Sequence, residues 1–213
     1  MDNLADKRKS YEKGSLTLDS LASDPMIQFE NWYHDAERAN IIEPNAMTLS
    51  TASPQGMPSS RMVLLKGFGE EGFIFYSNYT SRKAQELVQN PFAALNFWWK
   101  ELERQVRVEG TVVKISEDRS ASYFNSRPRG SQLSAWASPQ SQEIREHYLQ
   151  SKRKEIETQF KDEDTIPLPP HWGGYLIEPS VFEFWQGKES RFHDRYRYTH
   201  MDDTNWRVIR LAP

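Results

Sequence analysis

The chain has 213 residues, and its 27 Lys and Arg against 30 Asp and Glu give a formal net charge of -3. This length suits one sizeable core, while the acidic balance excludes a general polyanion-binding surface, so phosphate recognition needs local basic clusters and no nucleic-acid partner is expected. The absence of cysteine excludes disulfides, thiolate metal ligands and a cysteine nucleophile. We therefore predict a cytoplasmic protein with no metal centre and, because no apolar run is long enough to span a bilayer, no membrane partner.

The N-terminal residues 1–23 are rich in charged residues and poor in core-type residues, so we predict a mobile arm. Asp24 and Pro25 then supply an N-cap and a first-turn proline, and a helical apolar stripe extends to about Asn40. We expect this helix to pack on the exterior of the β-barrel that the following elements predict.

Short runs of β-forming residues, separated by turn signals, dominate the rest of the chain. Strands are predicted at 46–52, 59–66, 73–77, 92–99, 104–115, 174–177, 181–186, 195–200 and 206–211. Helices are predicted at 80–89 and within 116–161, where a long polar helix covers 142–161. This order lacks the βαβ rhythm and the glycine-rich fingerprint of a Rossmann enzyme. The prediction is a mainly β protein with peripheral helices (α+β), in which residues 24–213 form a single domain built on an antiparallel barrel of six to eight strands.

The segment from Arg61 to Lys66 joins a strand-forming apolar run to a cation at each end. Its large side chains favour a buried strand. Because successive side chains of a strand face opposite ways, the two cations cannot lie on one flat face. Either one cation is a solvated strand end, or a ligand curls around the segment and meets both.

A first basic cluster opens the helix predicted at 80–89, where Thr80 and Ser81 precede Arg82 and Lys83. Cations at a helix N-terminus oppose the macrodipole, unless a bound anion reverses the sign of the interaction. The alternative is an exposed helix start with screened charges. The predicted meander favours an anion site, because it brings Tyr76-Ser77 and Arg61 close to this helix start.

A second basic cluster extends from Tyr123 to Gln132, around a helix break at Arg127-Pro128. Arg127 can contact a phosphate through two nitrogens, and Ser131 can donate from the next helix start. Alone, this segment is typical of a basic surface turn. Two such clusters in an acidic protein indicate two small phosphorylated ligands or one ligand with two phosphates.

A third constellation extends from Phe184 to Arg195. Trp185 offers a stacking face, and Arg191, His193 and Arg195 share strand parity, so they can line one side of a pocket. No nucleophile stands in a recognisable motif near His193. We expect binding and polarisation rather than covalent catalysis.

Seven segments in order carry a resemblance to the pyridoxine (pyridoxamine) 5'-phosphate oxidase family: RMVLLKGF, FYSNYTSRKA, LERQVRVEG, YFNSRPRGSQ, WASPQS, HWGGY and EFWQGKESRFHDR. The resemblance implies a split β-barrel of the antiparallel Greek-key type and a homodimer that binds FMN in clefts between the subunits. Two departures from the family pattern are Asn125, where histidine is common, and Phe192, where leucine is common.

The resemblance also assigns site residues. The residues assigned to FMN are Arg61, Met62, Val63, Leu64, Leu65, Lys66, Tyr76, Ser77, Arg82, Lys83, Gln105, Gln140, Ser141, Trp185 and Arg195, some of them from the partner subunit. The residues assigned to the substrate are Arg8, Lys9, Ser10, Tyr11, Lys66, Tyr123, Arg127, Ser131, Arg191, Phe192 and His193. Residues 8–11 match a segment that can close over the pocket, and Arg191 and His193 are the expected catalytic residues. Arg61 should then reach the phosphate end of FMN and Lys66 its ring end. The side chains of the apolar residues between them should pack in the barrel core.

The implied reaction converts pyridoxamine 5'-phosphate or pyridoxine 5'-phosphate to pyridoxal 5'-phosphate by hydride transfer to flavin, with oxygen as the final acceptor and hydrogen peroxide as a product. One alternative is another split-barrel FMN enzyme, such as a nicotinamide-dependent reductase, which would have no evident need for the second basic cluster. The other is a non-catalytic protein that carries flavin or pyridoxal phosphate.

Overall fold

The computed structural model describes residue 7, residues 9–202 and residues 205–213. The helices are α1 (Pro25–Arg38), α2 (Arg82–Gln89), α3 (Glu117–Ser126), α4 (Arg129–Ala137) and α5 (Tyr148–Gln159). The strands are β1 (Ala46–Ala52), β2 (Pro58–Leu64), β3 (Gly67–Gly69), β4 (Gly72–Asn78), β5 (Phe92–Trp99), β6 (Arg104–Lys114), β7 (Trp172–Gln186), β8 (Asp194–Asp202) and β9 (Asn205–Leu211). Within these described ranges, no helix is both long and apolar enough to cross a membrane.

All nine strands belong to one antiparallel sheet in the order β2-β1-β5-β6-β7-β4-β3, with β8 and β9 branching from β7. The branch curls the sheet into a split barrel, because the first half of β7 pairs with β4 and its second half with β8. The predicted fold class is confirmed. The barrel was expected to have six to eight strands, whereas the sheet has nine; β3 was not predicted, and two of the predicted strands join in β7.

The long strand β7 was predicted as two strands because Pro179 interrupts the apolar pattern. It continues through the proline because its neighbour on one side changes there from β4 to β8, so the missing N–H breaks no pairing on that side. On the other side, the register with β6 shifts between Glu109 and Gly110. A Cβ on Gly110 would lie 2.1 Å from the carbonyl oxygen of Glu178, so glycine permits this close approach.

Helix α1 begins as predicted, with the Asp24 carboxylate accepting a hydrogen bond from the Met26 N–H at 2.6 Å. Its expected place on the barrel exterior stays a prediction, but its apolar stripe is packed into the core. Phe29 is fully buried, and its ring centre lies 4.8 Å from that of Phe73 and 5.0 Å from that of Phe97. The helix supplies part of the main core, because its apolar stripe is made of large aromatic residues.

The strand that contains Arg61 was predicted to be buried, and this prediction was wrong. β2 is an edge strand that pairs only with β1 in the described sheet, and Met62 and Leu64 are 64% and 37% exposed. Leu65 is buried, but it follows the end of the strand. The apolar side chains therefore alternate between the core side and the outer face, as the pleat requires.

The long polar helix predicted at 142–161 is shorter, since α5 covers only Tyr148–Gln159. The residues before it form turns, and Ser141 has a positive φ of 70°. Gln140 and Ser141 thereby lie beside the barrel rather than on a helix.

The N-terminal segment lies against the barrel over part of its length. Leu16 is buried, and its N–H donates to the Asp194 carboxylate at 3.0 Å. The N–H groups of Glu12 and Lys13 donate to the Glu103 carboxylate at 2.8 and 3.0 Å. Arg8 lies outside the described residues, and the mobility of the arm stays a prediction.

Candidate active-site cleft

A cleft of about 760 Å³ lies where β2 and β4 meet the start of α2, the end of α3 and the turn before α5. Its volume is in the range of small-molecule sites. Predicted cofactor residues that line it are Arg61, Met62, Val63, Leu64, Lys66, Tyr76, Ser77, Arg82, Lys83, Gln140 and Ser141. Tyr123 and Arg127, which were predicted to bind substrate, line the same cleft. The two basic clusters therefore share one cavity.

Lys83 is the most buried cation of the cleft, with 7% of its surface exposed. Its Nζ donates to Ser77 Oγ at 3.0 Å and to Gln140 Oε1 at 2.9 Å. Burial, together with the nearby charge of Arg61, lowers the pKa of Lys83 to about 8. A buried ammonium without a carboxylate partner is poised to gain from an incoming anion.

Arg61 faces the inner side of β2, where its guanidinium is half-buried. One terminal nitrogen donates to the Leu49 carbonyl at 3.1 Å and to Thr51 Oγ1 at 2.7 Å. The other donates to Ser59 Oγ at 2.5 Å. Lys66, after the strand end, is exposed but lines the same cleft. Arg61 and Lys66 have opposite strand parity, yet both line one cavity, because β2 ends between them at Leu64.

The start of α2 has the predicted layout. Ser81 is the N-cap, with its Oγ accepting from the Ala84 N–H at 3.4 Å, and Arg82 and Lys83 occupy the first turn. We call the group made of Arg61, Ser77, Arg82, Lys83 and Gln140 the basic cradle. Its polar groups come from β2, β4, α2 and the turn before α5, so the barrel itself holds them together.

Arg127 forms a second basic point in the cleft. Its guanidinium lies 4.7 Å from the centre of the Trp172 ring, and its NH1 is buried without a hydrogen-bond partner in the described part of the chain. Burial lowers the pKa of Arg127. Such an unsatisfied cationic nitrogen is costly without an anion to accept from it.

Stacked aromatic rings line the space near Arg127. The ring centres of Tyr76 and Tyr123 are 3.9 Å apart at an interplanar angle of 19°, and Trp172 stacks on Tyr76 at 5.4 Å. Trp172 was not predicted as a site residue, although it stands in one of the seven recognised segments, HWGGY. Ser131 is not among the residues that line the cleft.

A separate group, the Trp185 cluster, consists of Tyr11, Trp185, Arg191 and His193. The ring centres of Trp185 and His193 are 4.6 Å apart, and the Tyr11 ring lies 5.8 Å from each of them. Lys9, Ser10, Tyr11, Arg191 and His193 line one shared cavity. Phe192 is 75% exposed and lines a neighbouring one.

His193 accepts a hydrogen bond at Nδ1 from the Lys188 N–H at 3.0 Å. Burial, and then the charge of Arg191, lower its pKa although Asp194 acts in the opposite direction. The ring is therefore neutral at pH 7, with its proton on Nε2. The predicted shared strand parity was wrong, because β8 begins only at Asp194 and Arg191 lies in a turn with a positive φ of 63°.

The remaining predicted cofactor residues lie in register across three strands. Gln105 of β6 pairs with Trp185 of β7, which pairs with Arg195 of β8. Arg195 donates from Nε and NH2 to Glu183 Oε1 at 3.1 and 2.9 Å. We call Gln105, Trp185 and Arg195 the outer row, because they lie on the face of the sheet opposite the core.

The outer face also carries exposed apolar side chains and an unsatisfied cation. Met62 and Trp98 are 64% and 44% exposed. Arg197 Nε is buried and lacks a hydrogen-bond partner among the described residues. None of the outer row lines the cleft of the same subunit. These features are typical of a surface that another subunit covers.

Comparison with known proteins gives consistent matches over the chain. Residues 33–160 match the family described as "Pyridoxamine 5'-phosphate oxidase", and residues 172–213 match the "Pyridoxine 5'-phosphate oxidase C-terminal dimerisation region". The pyridoxine/pyridoxamine 5'-phosphate oxidase of Acaryochloris marina is 52% identical, with 99% of this chain and 96% of that protein covered. The protein of the same name from Salinibacter ruber is 50% identical, with 100% of each covered.

Two solved structures share the fold. PhzG from Burkholderia lata, in complex with tetrahydrophenazine-1-carboxylic acid, superimposes with a TM-score of 0.87 at 29% identity, covering 96% of this chain and 100% of that one. A pyridoxamine 5'-phosphate oxidase-related, FMN binding protein from Nostoc punctiforme has a TM-score of 0.71 at 19% identity, covering 91% and 99%.

Proposed function

The chain belongs to the pyridoxamine 5'-phosphate oxidase family, and on this premise we propose that it oxidises pyridoxamine 5'-phosphate and pyridoxine 5'-phosphate to pyridoxal 5'-phosphate in vitamin B6 biosynthesis. It is an FMN-dependent oxidase. FMN, when bound, accepts a hydride from the substrate and is reoxidised by oxygen, which yields hydrogen peroxide. The observation that carries the proposal is that two groups of basic residues, the basic cradle and Arg127, line one cleft.

The basic cradle fits the FMN phosphate. Lys83 is buried without a carboxylate partner among the described residues, while Arg61 and Arg82 add two further cations at the same end of the cleft. Charged hydrogen bonds from these groups, with Ser77 as an additional donor, would hold a phosphomonoester firmly. Met62 to Lys66 would then face the rest of the cofactor.

Arg127 fits the substrate phosphate. Its buried, unsatisfied NH1 supports an anion at this end of the cleft, and Tyr123 can donate its hydroxyl to the same group. The guanidinium lies 4.7 Å from the centre of the Trp172 ring, which in turn stacks on Tyr76. Two fixed phosphates would orient two planar ring systems relative to each other, which is the main task of the protein in hydride transfer.

The Trp185 cluster and the outer row would complete the site from the partner subunit. The C-terminal match to a dimerisation region supports a homodimer, and the outer face has the exposed apolar residues that such an interface needs. Arg191 and His193 would hold the substrate over the cofactor. His193, neutral with its proton on Nε2, would donate a hydrogen bond there, while Arg191 would favour the reactive protonation state of the substrate.

Residues 8–11 would close the substrate end. Tyr11 already contacts the rings of Trp185 and His193, and Lys9 and Ser10 line the same cavity. These contacts support an arm that closes the mouth of the cavity and excludes water from the bound substrate.

Oxygen consumption and the visible spectrum test this proposal together. Purified protein with FMN should consume oxygen with pyridoxamine 5'-phosphate and ignore NADPH, and without oxygen the substrate should bleach the flavin absorbance. A protein that oxidises NADPH instead would be a reductase. A protein that binds FMN without any bleaching would be a carrier, and both outcomes would contradict the proposal.

A second candidate is oxidation of a phosphate-free ring acid, since the PhzG structure holds tetrahydrophenazine-1-carboxylic acid. Substitution of Arg127 distinguishes these two candidate functions. Arg127→Ala should raise the KM for pyridoxamine 5'-phosphate by about tenfold or more, the cost of a lost charged hydrogen bond. Faster turnover of a phosphate-free ring acid than of pyridoxamine 5'-phosphate by the unaltered protein would favour the second candidate.

A further inference from the structure

Glu86 lies directly beneath the basic cradle, on the inward face of α2. It is 8% exposed. Its Oε2 accepts from Ser59 Oγ at 2.6 Å and from Thr51 Oγ1, and lies 3.4 Å from an Arg61 nitrogen. Its Oε1 accepts from Arg82 Nε at 2.9 Å. One carboxylate therefore contacts two cradle cations that come from different elements.

The carboxylate is ionised at every pH in the working range. Burial alone would raise its pKa, but the hydrogen bonds from Ser59 and Thr51 and the interaction with Arg82 lower it to about 2. A buried carboxylate is weak support for stability, because desolvation offsets much of the Coulomb attraction. The contacts of Glu86 go to the residues that flank the cradle, Thr51 and Ser59, and to the two arginines. We therefore consider the effect of this network on the orientation of the two arginines rather than on the stability of the fold.

The contacts fix each arginine differently. Arg61 is held by Leu49, Thr51 and Ser59 as well as Glu86, and its side chain is 22% exposed. Arg82 has a side chain that is 64% exposed, and Glu86 is its one ion-pair partner among the described residues. Without this carboxylate, Arg82 would be a solvated side chain with free rotamers.

We propose that Glu86 is a positioning residue for the cofactor phosphate. It orients Arg61 and Arg82 so that their free N–H groups converge on the phosphate, and it reduces the entropy that Arg82 would otherwise lose on binding. This inference rests on the proposed position of the FMN phosphate at the basic cradle. It adds to that position a residue that does not itself touch the cofactor.

The direction in which a Glu86 variant changes FMN affinity distinguishes an effect on orientation from an effect on net charge. Removal of the carboxylate leaves Arg61, Arg82 and Lys83 as three cations with no opposing charge nearby, which by Coulomb's law alone would tighten the binding of a dianionic phosphate. Loss of positioning would weaken it. A weaker affinity of a Glu86 variant for FMN therefore reports orientation rather than net charge.

The test is equilibrium dialysis of the full-length chain, freed of flavin, against FMN and against riboflavin, which lacks the phosphate. Glu86→Ala should weaken FMN binding by about tenfold or more, the range of one lost charged hydrogen bond, and should change riboflavin binding less than about twofold. Glu86→Gln keeps one acceptor oxygen for the Arg61 side and should lose several-fold less affinity than Glu86→Ala.

The matched control is Glu157→Ala. Glu157 accepts from Arg153 Nε at 2.8 Å in the same i,i+4 spacing as Glu86 and Arg82, but on the exposed surface of α5. The Glu157→Ala variant should bind FMN and riboflavin as tightly as the unaltered chain does. Unchanged or tighter FMN binding in Glu86→Ala, or an equal loss for riboflavin, would overturn the inference. If Glu86→Ala does not fold, an unchanged FMN-to-riboflavin ratio in Glu86→Gln overturns it instead. Failure of the unaltered chain to bind FMN would overturn the proposed function.

Discussion

The basic cradle and the Trp185 cluster differ in how far one subunit completes them. In the cradle, Arg61 of β2 and Lys83 of α2 already contact polar partners from within the barrel, Ser77 of β4 among them. The Trp185 cluster and the outer row instead lie on the opposite side of the sheet, where Trp98 is 44% exposed and Arg197 has a buried Nε without a partner among the described residues. We propose that the cradle is prepared for a phosphate by folding alone, whereas the catalytic side needs a second subunit.

The largest expected effect is on the catalytic side. Arg191→Ala should lower kcat/KM for pyridoxamine 5'-phosphate by about two to three orders of magnitude, the range for a group that assists proton placement. FMN affinity should not change, because Arg191 lies outside the cradle. Steady-state oxygen consumption with flavin titration measures both. Arg153→Ala on the surface of α5 is the control, and an unchanged kcat/KM in Arg191→Ala would contradict its catalytic role.

The next effect is on the cradle. Lys83→Met should weaken FMN binding by about tenfold to one hundredfold, since a buried charged hydrogen bond to phosphate is lost, while riboflavin binding stays within about twofold. Flavin fluorescence titration measures both ligands. Lys152→Met removes an exposed ammonium that pairs with Glu155 and should behave as the unaltered chain does. An equal loss for FMN and riboflavin would mean that Lys83 supports the fold rather than the phosphate.

A smaller effect is expected from pH. The pKa of Lys83 is lowered from 10.5 to about 8 in the folded chain, and a bound phosphate dianion would raise it again. FMN affinity should therefore be constant just below pH 8 and fall as pH rises above 8, by at most about tenfold per unit. Riboflavin affinity should stay flat, and Lys83→Met should abolish the slope. A slope that persists in Lys83→Met would assign the titration to another group.

The smallest effect is expected at the arm. Gly187 lets Tyr11 approach, since a Cβ there would lie 2.9 Å from Tyr11 Cβ. Gly187→Ala should displace Tyr11 and raise the KM for the phosphorylated substrate by about threefold to tenfold, the loss of one hydrogen bond or less, with little change in kcat. Gly69→Ala is the control, because its Cβ would meet no atom within 4 Å. A fall in kcat with constant KM would assign Tyr11 to the chemical step instead.

The sequence predicted three of the cradle residues, Ser77, Arg82 and Lys83, because they are close along the chain. β4 leads directly into α2, so Ser77, Arg82 and Lys83 meet without any knowledge of long-range pairing. The opposite parity of Arg61 and Lys66 was also informative, since the strand ends between them and both line one cleft. The role of each residue as a ligand contact stays a prediction.

The sequence did not predict what depends on non-local register. The outer row forms because β6, β7 and β8 align Gln105, Trp185 and Arg195, which are up to 90 residues apart in sequence number, and no local pattern fixes that alignment. Glu86 was missed because a single acid inside a polar helix is usually solvated. Its i,i+4 spacing from Arg82 was the one available signal.

The most direct test of the central claim uses hybrid dimers. Chains with Lys83→Met, defective in the cradle, are mixed under subunit exchange with chains carrying His193→Ala, defective in the Trp185 cluster. If each site joins the cradle of one subunit to the cluster of the other, half of a random mixture is hybrid, and each hybrid dimer has one intact site, so about a quarter of unaltered activity should return. No activity above the two separate variants would contradict the account, because it would mean that the cradle and the cluster of one subunit serve the same site.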